Sequence, residues 1–214
     1  MSAPVAPAPP SHTSTTPARL QIALRRFVGA DVHAFHPALS DPECMRYWSC
    51  LPHTSLSQTE AWIDRHMNDT RFGRSDERVI MSAESGEVLG KVCLQWRSRT
   101  DPPELGILIF PKHWRKGVAK QAVRTIISEA FEEHNSRCQA ADKDSEGWLH
   151  PPLEVLADVD PRNAASLGLL KSLGFVVDRV EERSFQVGDA WVDSVYLRLN
   201  EKQFRASGGV VGKD

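Results

Sequence analysis

An α/β (α+β) domain built on a single mixed sheet is predicted by three features of the 214-residue sequence. Segments that alternate with period two take turns with segments of helical period. A run with little polar relief, ELGILIF at 104–110, stands mid-chain and reads as a central strand covered on both faces. The turn leaving it, PKHWRKGVAKQ, opens directly into an apolar-periodic helix. With 41% hydrophobic and 25% charged residues, the chain can bury one substantial core, so one folded domain over 18–202 is expected.

Taken in order, the first 17 residues are rich in proline, alanine, serine and threonine and carry no charge, so they are expected to stay disordered. A mitochondrial presequence would be amphipathic and richer in arginine. Leu20, Ile22 and Leu24 alternate as in a half-buried strand. In LSQTEAWIDRHM, Ser57 and Glu60 stand at capping-box spacing, with Trp62, Ile63 and Met67 on one side, which predicts a helix from Ser57. Residues 78–96 read as a hairpin turning at ESGE. After the central strand, Val118, Ala122, Val123, Ile126, Ile127, Ala130 and Phe131 recur at helical spacing. A polar insertion at 135–148 precedes LEVLADVD (153–160), which alternates again. In DPRNAASLGLLKSLGF, Asp160 suits the N-cap of a helix, Pro161 its first position and Gly174 its stop. Strands near 176–187 and 191–199 close the domain as a hairpin, and 203–214 reads as a frayed tail.

A formal net charge of −2 argues against a protein that coats nucleic acid, which needs a broad basic face. No apolar run approaches the roughly 20 residues of a membrane span. Cys44, Cys50, Cys93 and Cys138 have no metal-ligand spacing, which predicts reduced thiols in the cytoplasm or nucleus. His33 and His36 have helical metal spacing, yet Pro37 follows and no third ligand is evident, so no metal is expected.

Against that neutral background, the cations of PKHWRKG are a local feature. A helix beginning after Gly117 presents free N–H groups and the positive end of its dipole. Gly117 lets a phosphate approach the main chain, and Arg115 and Lys116, with Lys112, add full charges beside it. A phosphate or pyrophosphate site is one reading; a solvated turn that starts a helix is the other. Neither GxxxxGK[ST] nor GxGxxG is present, so the turn is neither a Walker loop nor a dinucleotide fingerprint.

The string ELGILIFPKHWRKGVAKQAV resembles the central motif of the GNAT superfamily, the Gcn5-related N-acetyltransferases, in which a strand feeds a [RQ]xxGx[GA] pyrophosphate loop. Gly117 and Ala119 fit that loop; Trp114 stands where arginine or glutamine is usual. A large aromatic there is similar to the RimJ/RimL-like ribosomal-protein N-acetyltransferases, as is DPRNAASLGLLKSLGF with its N-x-x-S and L-G-F. The likeness spans about residues 18–200.

The resemblance implies a GNAT-like sheet of about six or seven strands, splayed in the middle, with about four helices. Acetyl-CoA would lie in the V between the strands at 104–110 and 153–160, its pantetheine on the backbone of Ile109 and Phe110. Its pyrophosphate would sit on Arg115, Lys116, Gly117, Val118, Ala119 and Lys120, and Asn163 would hydrogen-bond the pantetheine amides, capping being left to Asp160. The implied reaction is direct acetyl transfer to a primary amine. An amine with a pKa of roughly 8 to 10.4 is protonated at neutral pH, so a proton acceptor is needed. Glu104 on the central strand is the first candidate, with Asp158 and Glu182 as rivals. The departing thiolate needs a proton; many relatives use a tyrosine where this chain has Leu170, which leaves Ser166, with Tyr196 in reserve. Arg46, Tyr47 and Trp48 fall where relatives build the acceptor groove. The expected acceptor is a protein or peptide N-terminal α-amine. The alternatives are a small amine (polyamine, aminoglycoside or metabolite) and a non-catalytic acyl-CoA sensor. No nucleic-acid or membrane partner is expected, and monomer and homodimer stay open.

Overall fold

The computed structural model describes residues 20–98, 101–140 and 153–211. The tail expected at 1–17 and residues 141–148 of the polar insertion lie outside these. Seven strands form one sheet in the order β1-β2-β3-β4-β5-β7-β6. The first four, β1 (Ile22–Arg25), β2 (Ser75–Ser82), β3 (Val88–Gln95) and β4 (Glu104–Ile109), run as an antiparallel meander. β5 (Glu154–Val159) joins β4 in parallel, and the antiparallel pair β6 (Val176–Val187) and β7 (Ala190–Asn200) attaches through β7. ELGILI thus supplies the middle strand of the sheet.

Helices α1 (Val32–Leu39) and α2 (Leu56–Arg71) cover one face of the β1–β4 half. The other face carries α3 (Val118–Ala140), α4 (Ala164–Lys171) and α5 (Glu201–Ala206). Period-two geometry sorts β4 between the two cores. Leu105 packs toward α3, while Leu108 and Phe110 pack toward α1 and α2, with Phe110 edge-on to Phe35 at 5.1 Å. All seven apolar positions predicted for the helix after Gly117 fall in or against the α3 core. By contrast, one face of β5 and β7 is covered from the α3 side, while β6 is exposed throughout 176–183, including Val176, Val177 and Val180.

Three local expectations are corrected. α2 begins at Leu56 with Ser55 as its cap, because Ser55 Oγ accepts from the Gln58 N–H while Gln58 Oε1 accepts from the Thr54 N–H at 2.6 Å. That reciprocal arrangement sits two residues before the Ser57–Glu60 pair. Asp160 does not cap α4: it accepts the Arg162 N–H at 2.8 Å and the Arg162 guanidinium, and Asn163 is the cap instead, its Oδ1 accepting from the Ser166 N–H at 3.1 Å. Finally, the chain expected to fray after 202 continues as α5, a capping box of Asn200 and Gln203 fixing its start. Phe204 is fully buried against Phe131, and Val211 is buried beyond it.

Candidate active site

β4 and β5 share one registered pair, Glu104 with Leu156, reinforced by the Leu156 N–H donating to Pro103 O at 2.8 Å. Beyond it the strands part. The Phe110 N–H donates to Leu89 O on β3, and main-chain groups alternate in direction along a strand, so Ile107 and Ile109 turn theirs toward the gap. A sheet therefore carries an unpaired edge at its centre, which a ligand bearing amides can complete.

At the top of the gap, Trp114 Nε1 donates to Ile109 O at 2.7 Å. The sequence reading gave no sign of this bond. It takes one of the main-chain acceptors expected for the pantetheine and leaves the Ile109 N–H and both groups of Ile107. Phe110 departs further from expectation: its N–H serves β3 and its carbonyl accepts from the His113 N–H, so no main-chain group is left for a ligand. Strand parity, read in ELGILI once the partner of one residue is fixed, is the signal that separates Ile107 from Phe110.

The turn that follows has left-handed backbone at Arg115 (φ 63°) and Gly117 (φ 76°), an alternation that gathers N–H groups into an anion-binding concavity. Among the described residues no hydrogen bond is made by the N–H groups of Val118, Ala119 and Lys120, the first turn of α3. Arg115, Lys116 and Gly117 are exposed, whereas the Val118 side chain anchors the helix in the core. Lys112 is drawn aside to Glu87 Oε1 at 2.6 Å and adds little to this cluster. Bare amides, two free cations and an unpaired edge fit an acyl-CoA, with its phosphates on the turn and its arm along β4.

The remaining candidates divide. Glu104 sits at the closed end of the V, half-exposed and paired with Arg97 at 3.2 Å. Ser166 stands in the first turn of α4, and among the described residues its hydroxyl has no partner, so it does not back-bond a carbonyl. Asn163 keeps only its Nδ2 for a ligand, because capping uses Oδ1. Glu182 is exposed on the edge strand. Tyr196 lies opposite Asp158 on β7 with the Arg179 guanidinium 3.8 Å above its ring. Trp48 packs against the α1–α2 core, and Arg46 is exposed. His36 Nδ1 meets Thr59 Oγ1 at 2.8 Å between α1 and α2, and among the described residues no group of three or more candidate ligands could hold a metal ion.

Leu51, in the loop between α1 and α2, lies 3.6 Å from where a Cβ on Gly188 would stand, so that loop and the β6–β7 turn approach each other. A cavity of ≈ 490 Å³ lined by Cys50, Leu51, His53, Trp62 and Arg65 opens beside the same loop. A second, of ≈ 480 Å³, lies around His134, Leu153 and Glu201, at the far end of α3 from the cationic turn.

A sheet parted in its middle, with a bare helix N-terminus at the head of the gap, fits an acyl-CoA-dependent transferase. The family model for the acetyltransferase (GNAT) domain matches residues 21–176, and the chain belongs to that family of N-acetyltransferases. Among its relatives, the uncharacterized N-acetyltransferase p20 of Bacillus licheniformis is 26% identical over 156 residues, 72% of this chain and 79% of that protein. An L-methionine sulfoximine/L-methionine sulfone acetyltransferase of Salmonella typhimurium is 26% identical over 168 residues, 73% of this chain and 88% of that protein. The fold is similar to that of spermidine N-acetyltransferase from Vibrio cholerae, solved with CoA and spermine, with a TM-score of 0.65, 21% identity, and coverage of 86% and 98% of the two chains. Among the described residues no helix is long and apolar enough to cross a membrane.

Proposed function

We propose that this acetyltransferase modifies the α-amine of a peptide or protein N-terminus, in the cytoplasm, with acetyl-CoA held in the gap between β4 and β5. The observation that carries the acceptor is the open face of β5, β7 and β6, beside the α1–α2 loop and the β6–β7 turn. An extended peptide can lie across such a face, whereas a small metabolite calls for an enclosing pocket. The loop WRKGVA and the N-x-x-S of α4, similar to the RimJ/RimL-like branch, support the same reading. A small amine is the second reading, favoured by the carboxylates of Asp158 and Glu181 on the acceptor side and by the methionine sulfoximine acetyltransferase among the relatives.

Acetyl-CoA supplies an activated thioester carbonyl. The chain's part is to align it through Ile107 and Ile109, to neutralise its phosphates on Arg115, Lys116 and the amides of 118–120, and to move protons. In this reading the Ser166 hydroxyl, which has no partner among the described residues, protonates the departing sulfur. Glu104 stays a candidate for the amine proton, with its Oε2 accepting from the Arg97 guanidinium at 3.2 Å.

The test begins with binding. Acetyl-CoA at a hundred times its Kd is expected to add about 2.7 kcal/mol of stability, or a rise in Tm of roughly 5 to 10 °C for a chain of this size. Reversing both exposed cations, in Arg115→Glu with Lys116→Glu, is expected to weaken acetyl-CoA at least tenfold without lowering the unliganded Tm. A wild type with no shift overturns the reading. Acetylation of free but not N-blocked peptides, compared with spermidine and L-methionine sulfoximine, then decides the acceptor.

A further inference from the structure

Asp158 is a carboxylate beside the gap with a buried oxygen that has no hydrogen-bond partner among the described residues. Along β5, Val155, Ala157 and Val159 face the α3 core, so Leu156, Asp158 and Asp160 face the opposite side of the sheet. Asp158 stands two residues, about 7 Å, beyond the Glu104–Leu156 pair, where β5 has already parted from β4. Its Oδ1 is buried and has no hydrogen-bond partner among the described residues. The groups facing it are Tyr196 and Ser194 on β7, Arg179 and Glu181 on β6, and Arg97 beyond β3. The arginines are committed elsewhere: Arg179 to Glu181 at 2.6 Å and to the Tyr196 ring, and Arg97 to Glu104. Asp160 is likewise held by Arg162.

We propose that Asp158 receives the acceptor amine in the acetyl transfer proposed above, its free oxygen accepting a proton from the incoming ammonium. The amine nitrogen then bonds to the thioester carbonyl carbon, the C–S bond breaks, and the second nitrogen proton passes to the sulfur, through the Ser166 hydroxyl or water. Amide and free thiol leave, and Asp158 releases its proton to solvent. Burial pushes the Asp158 carboxyl above the usual aspartate range, the Ser194 hydroxyl pulling the other way, which makes it a stronger proton acceptor than an exposed aspartate.

The experiment compares the wild type with Asp158→Asn, Asp158→Glu and Glu104→Gln. Each is given acetyl-CoA and three probes: a free-N-terminal peptide, spermidine and L-methionine sulfoximine. Asp158→Asn is expected to lower kcat about a hundredfold or more while the acetyl-CoA Kd stays within twofold. Its residual rate should climb about tenfold per pH unit with the free amine, the acid limb of the wild type being gone. Asp158→Glu should restore part of the rate, and a loss in Glu104→Gln larger than that in Asp158→Asn overturns the assignment in favour of Glu104. A second readout is independent of turnover. A carboxyl whose folded pKa is raised stabilises the fold at low pH and loses that contribution as pH rises through the folded value, so Asp158→Asn should gain in Tm over the wild type from about pH 4 upward. Parallel Tm profiles, or an Asp158→Asn enzyme keeping more than a tenth of its kcat, overturn the assignment of Asp158 alone. A wild type that binds no acetyl-CoA, or binds it and acetylates none of the probes, overturns the transfer reading with it.

Discussion

Replacing Glu77 with alanine is expected to destabilise the fold by about 3 to 5 kcal/mol, the range for stranding one partner of a buried ion pair. Glu77 is 2% exposed on β2, and its Oε2 lies 2.9 Å from Lys91 Nζ on β3. Its Oε1 lies 3.0 Å from Nδ1 of His66 on α2. The Lys91 ammonium is equally buried, and beyond Glu77 it faces the rings of Trp62 at 5.1 Å and Trp48 at 5.8 Å. Two aromatic faces cannot replace a carboxylate. The double variant Glu77→Leu with Lys91→Leu removes both charges and is expected to recover much of the loss. Denaturant titration of the single and double variants checks both numbers; a single-variant loss below about 1 kcal/mol would mean that water reaches Lys91.

The same carboxylate makes stability pH-dependent in a defined direction. Burial alone would raise the Glu77 pKa, but the Lys91 ammonium and His66 outweigh it and hold the group at about 2. A depressed carboxylate contributes fully above its unfolded value, 4.5, and loses that contribution as pH falls toward 2. Wild-type stability should therefore drop through that window more steeply than that of Glu77→Gln.

Gly90→Ala is expected to destabilise by about 3 kcal/mol and to impair acetyl-CoA binding in the same protein. Gly90 has φ 154°, beside the irregular register at Ile80 and Met81, and a Cβ there would stand 2.1 Å from Leu108 O and 2.9 Å from Ile109 Cα. Both are backbone atoms, so β4 has to move, and Ile109 is half of the open edge. A midpoint shift in denaturant combined with weakened acetyl-CoA in calorimetry is the expected pair. Lost stability with unchanged affinity would show that the edge tolerates the shift.

The strands and the long helix were legible because apolar period alone fixes them: ELGILI and the seven apolar positions after Gly117 need no tertiary information. Cap assignments were less secure. Asp160 and Asn163 are both good N-cap residues three positions apart, and the choice turned on Arg162, whose guanidinium captures Asp160. The frayed reading of 203–214 failed because Phe204 packs on a residue far away in sequence, Phe131, 73 positions earlier. The Glu77–Lys91–His66 cluster was hidden for the same reason, whereas the Trp114–Ile109 bond spans only five positions and depends on how the turn between them folds back. Of the proposed cofactor contacts, the turn at 115–120 was readable as a charge pattern, whereas selecting Ile107 over Phe110 required knowing which way one amide points.

The open edge at the centre of the sheet also has a bearing on solubility. Unpaired strand groups invite strands from other chains, and proteins guard such places against uncontrolled association. On β4 the exposure is confined to Ile107 and Ile109, closed below by the Glu104–Leu156 pair and above by the Trp114 indole. A foreign strand would find too short a ladder to register on, while a slender arm with a few amides finds one of suitable length. The tryptophan at the head of the turn thus shortens the length of strand edge open to another chain.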